Sequence, residues 1–377
     1  MLDSNKVMID RLTARRELYE GAVSAQEALW LKHGGAPLLM HCALNEREQE
    51  AYPWFNYKEI HFYVDKMLAN GLREAITTMK AGREAAPSIR ANMGCGIVAS
   101  FFGVVPELFE DKQPWVLKHL PKELLMDMTA DDLTLTPEFR MAMDHMVFIA
   151  KHLGGSGVRV FPVDIQGAFD TAHLVYGDDI FFQLYDDPEF VDHLMDLSCA
   201  ATERAFDACL ALIPGSDQTV AHYNSYAMPR SLGGLKLSED TSTLLSAEHI
   251  ATYVTPALRR LLSHAGGGYV HYCGRNDHLY KAVMTEPLCH GLNFGNPEKH
   301  DILAVLRDCA ASGRLYQGAL RRDEGESWDA YFERHLKASF DGRQIHALME
   351  VSCRDETRQG ISDAFDRAAE RVMRSAV

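Results

Sequence analysis

The amino-acid sequence predicts an α/β protein built as a closed (β/α)8 TIM barrel. Three observations carry this. Short β-type runs alternate with helical patterns to the last residue, which means parallel strands with helical crossovers. The helix stops are rich in glycine, and the next strand follows within a few residues. The signatures of the competing open doubly wound sheet are missing: no GxGxxG follows a strand and no GxxxxGK[ST] occurs. Seven or eight such units favour a single barrel domain over 1–377, with an N-terminal helical extension at 1–35.

The β-type runs are SIRANMG (88–94), GVRVFPVD (157–164), QTVAHYN (218–224), GGYVHYCG (267–274), LCHGLNFG (288–295), GRLYQGAL (313–320) and QIHALMEVSC (344–353), with PLLMHCAL (37–44) as a weaker run. Helical periodicity covers 56–82, where apolar residues recur three and four apart. Segment 136–155 opens on Thr-Pro and stops at Gly-Gly; segment 187–215 starts after Asp-Pro and ends before Pro-Gly. Ser246 is the expected N-cap of 246–268, and Pro256 inside it predicts a kink or two abutting helices. Segments 299–313, 326–342 and 356–377 complete the set. Residues 94–136 break the alternation with Pro106, Pro114, Pro121 and an acidic stretch, and are expected to form an insertion over one barrel face.

Composition narrows the function. Hydrophobic residues make up 47% and charged residues 24%, the profile of a soluble globular chain. The net charge of −15, from 38 basic and 53 acidic residues, argues against non-specific binding to nucleic acid or anionic membrane. The first residues lack a signal-peptide apolar core, and no apolar run reaches the roughly 18 residues that span a bilayer, so a cytoplasmic location is expected. Eight cysteines are scattered along the chain, which is not a disulfide framework. Cys199, Cys209 and Cys309 fall in helical patterns and read as small buried apolar residues.

A barrel collects its active site at the C-terminal strand ends. The residues expected there are Asn92, Asp164, Asn224, His271, Cys273, Asn293, Asn296, Gln317 and Cys353. A lone Asn or Asp at such a place commonly caps the following helix, but several on one rim argue for a site. His271 and Cys273 stand two apart on a strand, so they point to the same side. Imidazole nitrogen and thiolate sulfur both suit zinc, and Cys353, ending the last strand, is the candidate third ligand. A His-Cys-Cys set leaves one position open, the catalytic arrangement, which suits a thiolate nucleophile or a polarised oxygen. The adjacent pairs His41-Cys42 and Cys289-His290 point to opposite faces and make poorer ligand pairs. Glu350 lies an odd number of residues from Cys353, so an uninterrupted strand aims the two apart.

HYCGRNDHL, preceded by LKLSEDTSTLLSAEHIATYVTPALRRLLSHAGG and followed by GLNFGNPEKHD, resembles the uroporphyrinogen decarboxylase superfamily. Within it the region resembles the zinc-dependent corrinoid methyltransferase branch, which includes methylcobamide:coenzyme M methyltransferases. DIQGAFDTAHLVYGDDIFFQLYDDPEFVDHLM (164–195) is also similar to that superfamily, and the likeness runs with gaps from about residue 87 to the C-terminus. The resemblance implies a (β/α)8 barrel with zinc on His271, Cys273 and Cys353. It implies Asp164 and Asp240 as catalytic residues at the mouth; Asn92, Asn224, Asn296 and Gln317, from the strand ends, are the expected substrate-binding residues. The activity implied is methyl transfer between a corrinoid (methylcobalamin), carried by a partner corrinoid protein, and a small thiol, amine or O-methyl compound. A homodimer is the implied assembly. Two departures separate the chain from the decarboxylases themselves: NEREQEAYPWFNY is acidic where an arginine-rich motif would hold porphyrinogen carboxylates, and decarboxylases do not use HxCG. The alternatives are a metal-free decarboxylase-like lyase using Asp164 or Asp240, and a non-catalytic barrel that binds a corrinoid or tetrapyrrole.

Overall fold

The computed structural model describes residues 1–374. Its strands are β1 (Leu38–Cys42), β2 (Ser88–Ile89), β3 (Arg159–Val160), β4 (Thr219–Ala221), β5 (Ala227–Pro229), β6 (Leu235–Ser238), β7 (Gly268–Tyr272), β8 (Cys289–Phe294), β9 (Leu315–Ala319) and β10 (Ala347–Cys353). Six of them form one parallel sheet in the order β1-β10-β9-β8-β7-β6. β2 and β3 form a separate parallel pair, and a single parallel bridge, Gln166 to Ser238, joins the chain after β3 to β6. Among the described residues no ladder joins β1 to β2, so backbone hydrogen bonds do not complete a ring.

The expected strand at 218–224 sits elsewhere. β4 pairs antiparallel with β5, not with the sheet. The reason lies in the turn between them: Asn224 and Ser225 take left-handed φ values of 57° and 64°, folding the chain straight back. No glycine marks that turn, so the sequence pattern shows only the strand before it.

Most of the helices form where periodicity places them. Pro137–Leu153, Pro188–Leu212, Ile302–Ser312, Trp328–Ala338 and Asp355–Arg374 match their patterns; residues 375–377 of the last one fall outside the described residues. The long pattern at 56–82 divides at Tyr63, whose extended backbone separates Tyr57–Phe62 from Val64–Ala81. Near Pro256 the chain widens into a π turn over Ile250–Val254 before Thr255–Ala265 resumes, which absorbs the proline's missing N–H. No helix among the described residues is long and apolar enough to cross a membrane.

Strand alternation divides the apolar residues into two layers. Leu38, Met40, Val270, Tyr272, Met349 and Val351 pack in the large core that includes most of the helices' apolar residues. Leu39, Tyr269, Leu315 and Leu348 form a second core with Tyr226 and Met228 of the hairpin. The N-terminal helix Arg16–Trp30 closes this second core with Leu29 and Trp30. Burying side chains of this size contributes about 1.5–3 kcal/mol each. Gln26, fully buried on the same helix, joins it to the hairpin. Its amide donates to the Glu84 carbonyl (2.7 Å) and the Ser225 carbonyl (3.0 Å), and its Oε1 accepts the Ala227 N–H (2.7 Å). The Gln26→Ala variant removes three hydrogen bonds and strands the buried Ala227 N–H, while the Ser225 carbonyl keeps the Ala86 N–H. Urea denaturation is expected to show a loss of about 2–4 kcal/mol in unfolding free energy.

Candidate metal centre and cavity

The inward faces of the strands end in a cavity of about 890 Å³. On β6, Lys236 and Ser238 face it; on β7, Tyr269 and His271 do; on β10, Glu350 and Ser352 do. β6 and β7 run in register with Ser238 opposite His271. Asp240 lies two residues beyond Ser238 and Cys273 two beyond His271. Their proximity follows from that register: the Cys273 N–H donates to Asp240 Oδ1 at 2.5 Å.

Asp240, His271 and Cys273 each offer a ligand atom, all within 4.8 Å of one another. His271 Nε2 is 3.8 Å from Asp240 Oδ1 and 3.7 Å from Cys273 Sγ. Donors about 2.0–2.3 Å from a tetrahedral ion lie about 3.3–3.8 Å apart, so these spacings suit a single small cation. The imidazole is set up for the same role. Asn293, opposite His271 on β8, donates from Nδ2 to the Gln317 carbonyl, which turns its Oδ1 toward His271 Nδ1. That carbonyl oxygen only accepts, so the proton sits on Nδ1 and the Nε2 lone pair faces Asp240 and Cys273. Burial, then Lys236, pushes the imidazole below its usual range and keeps it neutral, the ligand form. Burial and Asp240 push the Cys273 thiol up to about 11, so a thiolate there needs a cation beside it.

Two glycines make the room. Gly274 turns the chain out of the strand with a φ of 90°. Gly295 passes close behind the two ligands: a Cβ on it would lie 2.4 Å from Cys273 Sγ and 3.4 Å from His271 Cε1.

Carboxyl groups support the centre from behind. Asp170 accepts the N–H groups of Asp240 (2.7 Å) and Thr241 (2.8 Å), fixing the loop that carries Asp240. Burial and the neighbouring Asp240 push Asp170 up. Glu239 is fully buried; its Oε2 accepts the Ser242 hydroxyl at 2.6 Å and its Oε1 has no partner. Burial, then Asp170, pushes Glu239 well above the carboxylate range, so it stays a neutral acid.

Asp164 sits apart from the three ligands. Burial alone would raise it, but Lys236 Nζ at 3.2 Å and Arg90 at 3.5 Å hold it below the usual carboxylate range. Asn92 lines the same cavity and accepts from Arg90 at 3.4 Å. Asn224 lines it too, donating to Glu350 Oε2 at 2.9 Å.

Three expected site residues stand elsewhere. Cys353 is not beside His271 and Cys273. Glu350 and Ser352 face the cavity, so alternation sends Cys353 to the opposite face, where it pairs in register with Cys42 under the helices. Asp240, expected as a catalytic residue at the mouth, stands in the third-ligand place that the sequence reading gave to Cys353. Asn296 is a loop clamp: its Oδ1 accepts the Gly274 N–H at 3.0 Å. Gln317 is fully buried below the cavity, its side-chain amide without a partner. The pairs His41-Cys42 and Cys289-His290 do not gather with the three ligands. Sequence reasoning missed Lys236 and Asp170 because they lie within β6 and the helix Ala168–Tyr176, and Arg90 because β2 ends at Ile89, well before the end of the β-type run 88–94. The insertion contributes Gln113 and Trp115 to the cavity wall.

The arrangement is an α/β protein with a parallel six-stranded sheet, whose cavity opens at the C-terminal strand ends. A solved structure of a methyltransferase from Methanosarcina mazei is similar in fold, with a TM-score of 0.64 and 13% identity, over 92% of this chain and 98% of that one. Comparison with protein-family models gives no match, and comparison with curated proteins gives none either.

Because the ligands lean on Asn293 and Gly295, both positions are expected to control metal affinity. Asn293→Ala should weaken zinc binding by about 10–100-fold through the freed imidazole. Gly295→Ala should lower it at least as much by displacing Cys273. Competition with a chromogenic chelator measures both, with circular dichroism to confirm an intact fold.

Proposed function

We propose that this chain is a zinc-dependent methyltransferase of the uroporphyrinogen decarboxylase superfamily, folded as a (β/α)8 barrel. It moves a methyl group between a corrinoid, carried by a partner corrinoid protein, and a small thiol, amine or O-methyl substrate. The observation that carries this reading is the convergence of one nitrogen, one sulfur and one oxygen donor at the strand ends, with an oriented imidazole. The mixed donor set suits zinc better than the harder cations that prefer oxygen alone. The ring-like succession of parallel strands and the likeness to a methyltransferase structure support the barrel and the class.

Asp240, His271 and Cys273 would hold the ion. Zinc bound there supplies a Lewis acid that lowers the pKa of a thiol or polarises a donor oxygen. The chain's own residues do the rest. Asp170 fixes the Asp240 loop, and Asn293 keeps the proton on His271 Nδ1. Asp164 is occupied by both Arg90 and Lys236, so neither cation is free to grip a polycarboxylate, which weighs against a porphyrinogen substrate. The cavity suits a small substrate. Its wall includes the exposed rings of Trp54, Trp115 and Tyr223, an apolar rim suited to a flat macrocycle presented from outside.

The test is metal content and methyl transfer together. Protein purified without chelator is expected to carry about one zinc per chain. With methylcobalamin and a panel of thiols, or with methyl donors and cob(I)alamin, the cobalt absorbance should report transfer. His271→Ala and Cys273→Ala should lose zinc and transfer together, whereas Cys353→Ser should keep its zinc. Protein without zinc and without transfer in either direction overturns the reading.

A further inference from the structure

Five carboxylates line the cavity (Glu74, Asp164, Asp170, Asp240 and Glu350), against two fixed cations, Arg90 and Lys236. Asp164 takes both cations. Asp170 and Asp240 belong to the metal end. Glu350 and Glu74 are left on the opposite wall. Glu350 stands on β10, three strands along the sheet from His271 on β7.

Glu350 is a built site rather than a stray acid. Its Oε2 accepts from Asn224 Nδ2 at 2.9 Å and from the hydroxyl of Tyr226 at 3.0 Å. Tyr226 is buried, and Asn224 is held by the left-handed turn after β4, so this oxygen is fixed. Oε1 has no hydrogen-bond donor among the described residues. The nearest group is His41 Nε2 at 3.8 Å, itself buried without a partner on the cavity wall. Burial pushes that imidazole down to about 4, so it is neutral and supplies no charge. Burial likewise pushes Glu350 up, as expected of a carboxyl lacking a cation. The Glu74 carboxylate, one side of the same wall, makes no hydrogen bond or ion pair with a described residue. Tyr223 and Tyr57 line the cavity beside it. The nearest fixed cation, Arg90, lies over the rings of Phe161 and Tyr223 and is bound to Asp164.

We infer that the small substrate carries a protonated amine, bound by Glu350 Oε1 with Glu74 and the tyrosine rings, at the end remote from the heteroatom that faces Asp240, His271 and Cys273. An ammonium group answers each feature of this wall: it donates to the free oxygen, balances the surplus negative charge and sits on aromatic faces. The inference rests on the methyltransferase reading for what happens at the other end. The amine subsite itself stands on Glu350 and its neighbours on that wall, not on the metal.

The experiment is titration calorimetry on the full chain at pH 7. Zinc-loaded protein is titrated with cysteamine, 2-mercaptoethanol and 3-mercaptopropionate, which differ in the charge of the remote group. Cysteamine is expected to bind at least about ten-fold more tightly than 2-mercaptoethanol, with 3-mercaptopropionate weakest. Glu350→Gln should abolish the preference, and Glu350→Asp, which keeps the charge, should restore part of it. Ethylammonium titrated into metal-free protein gives a readout independent of zinc, and its binding should fall in Glu350→Gln. A preference for 3-mercaptopropionate, or a cysteamine preference that survives Glu350→Gln, overturns the inference. If zinc and methyl transfer are present while the amine preference is absent, only this inference falls. If ethylammonium binding depends on Glu350 while zinc and transfer are absent, only the methyltransferase reading falls.

Discussion

The hydrogen bond from the Cys273 N–H to the Asp240 carboxylate ties the ends of two neighbouring parallel strands together, and the candidate centre depends on it. Register between β6 and β7 brings Ser238 beside His271. One further step of two residues on each strand then places a carboxylate and a thiol on the same side of the sheet. Asp170 holds the Asp240 loop from beneath and Asn293 holds His271 from the next strand. Each ligand is therefore positioned by an element other than its own. Such a site is built by the sheet as a whole, and its precision is inherited from backbone pairing rather than from loop packing.

Much of this was open to reading in the chain itself. HxC at the end of an apolar run placed His271 and Cys273 together because a strand has a period of two. The glycine-punctuated alternation placed most of the helices and the parallel sheet. The same period, carried further, would have separated Cys353 from the site. Glu350 and Cys353 lie an odd number of residues apart, so only one of them faces the cavity; the ligand pattern suggested the cysteine and the structure seats the glutamate there. Asp240 was legible as a mouth residue but not as a ligand, since nothing in LSEDTS distinguishes three successive polar positions until the register with β7 is known. The hairpin after β4 escaped because its turn uses Asn224 and Ser225 in place of glycine.

Charge organises the cavity into regions with separate roles. At one end, donors of three kinds converge with too little positive charge to keep the thiol ionised. Midway, Asp164 engages both cations that would otherwise be free to grip an anion. At the far wall, Glu350 keeps one oxygen committed to Asn224 and Tyr226 and presents the other. The pattern is one of electrostatic demands left unmet at both ends, as the proposed two-ended ligand requires.

The N-terminal helix Arg16–Trp30 seals the inner core at the opposite side from the strand ends, with Leu29 and Trp30 packed against Leu39, Leu315 and Leu348. Among the described residues this leaves the strand-end side, with Trp54 and Trp115, as the approach to the cavity. A bulky protein seated over the Trp54 and Trp115 rim would shut in whatever lies below it. On the proposed reading, the small ligand would load before such a partner docks and leave after it departs. A compulsory order of addition would then trace to a helix that contributes nothing to the cavity wall.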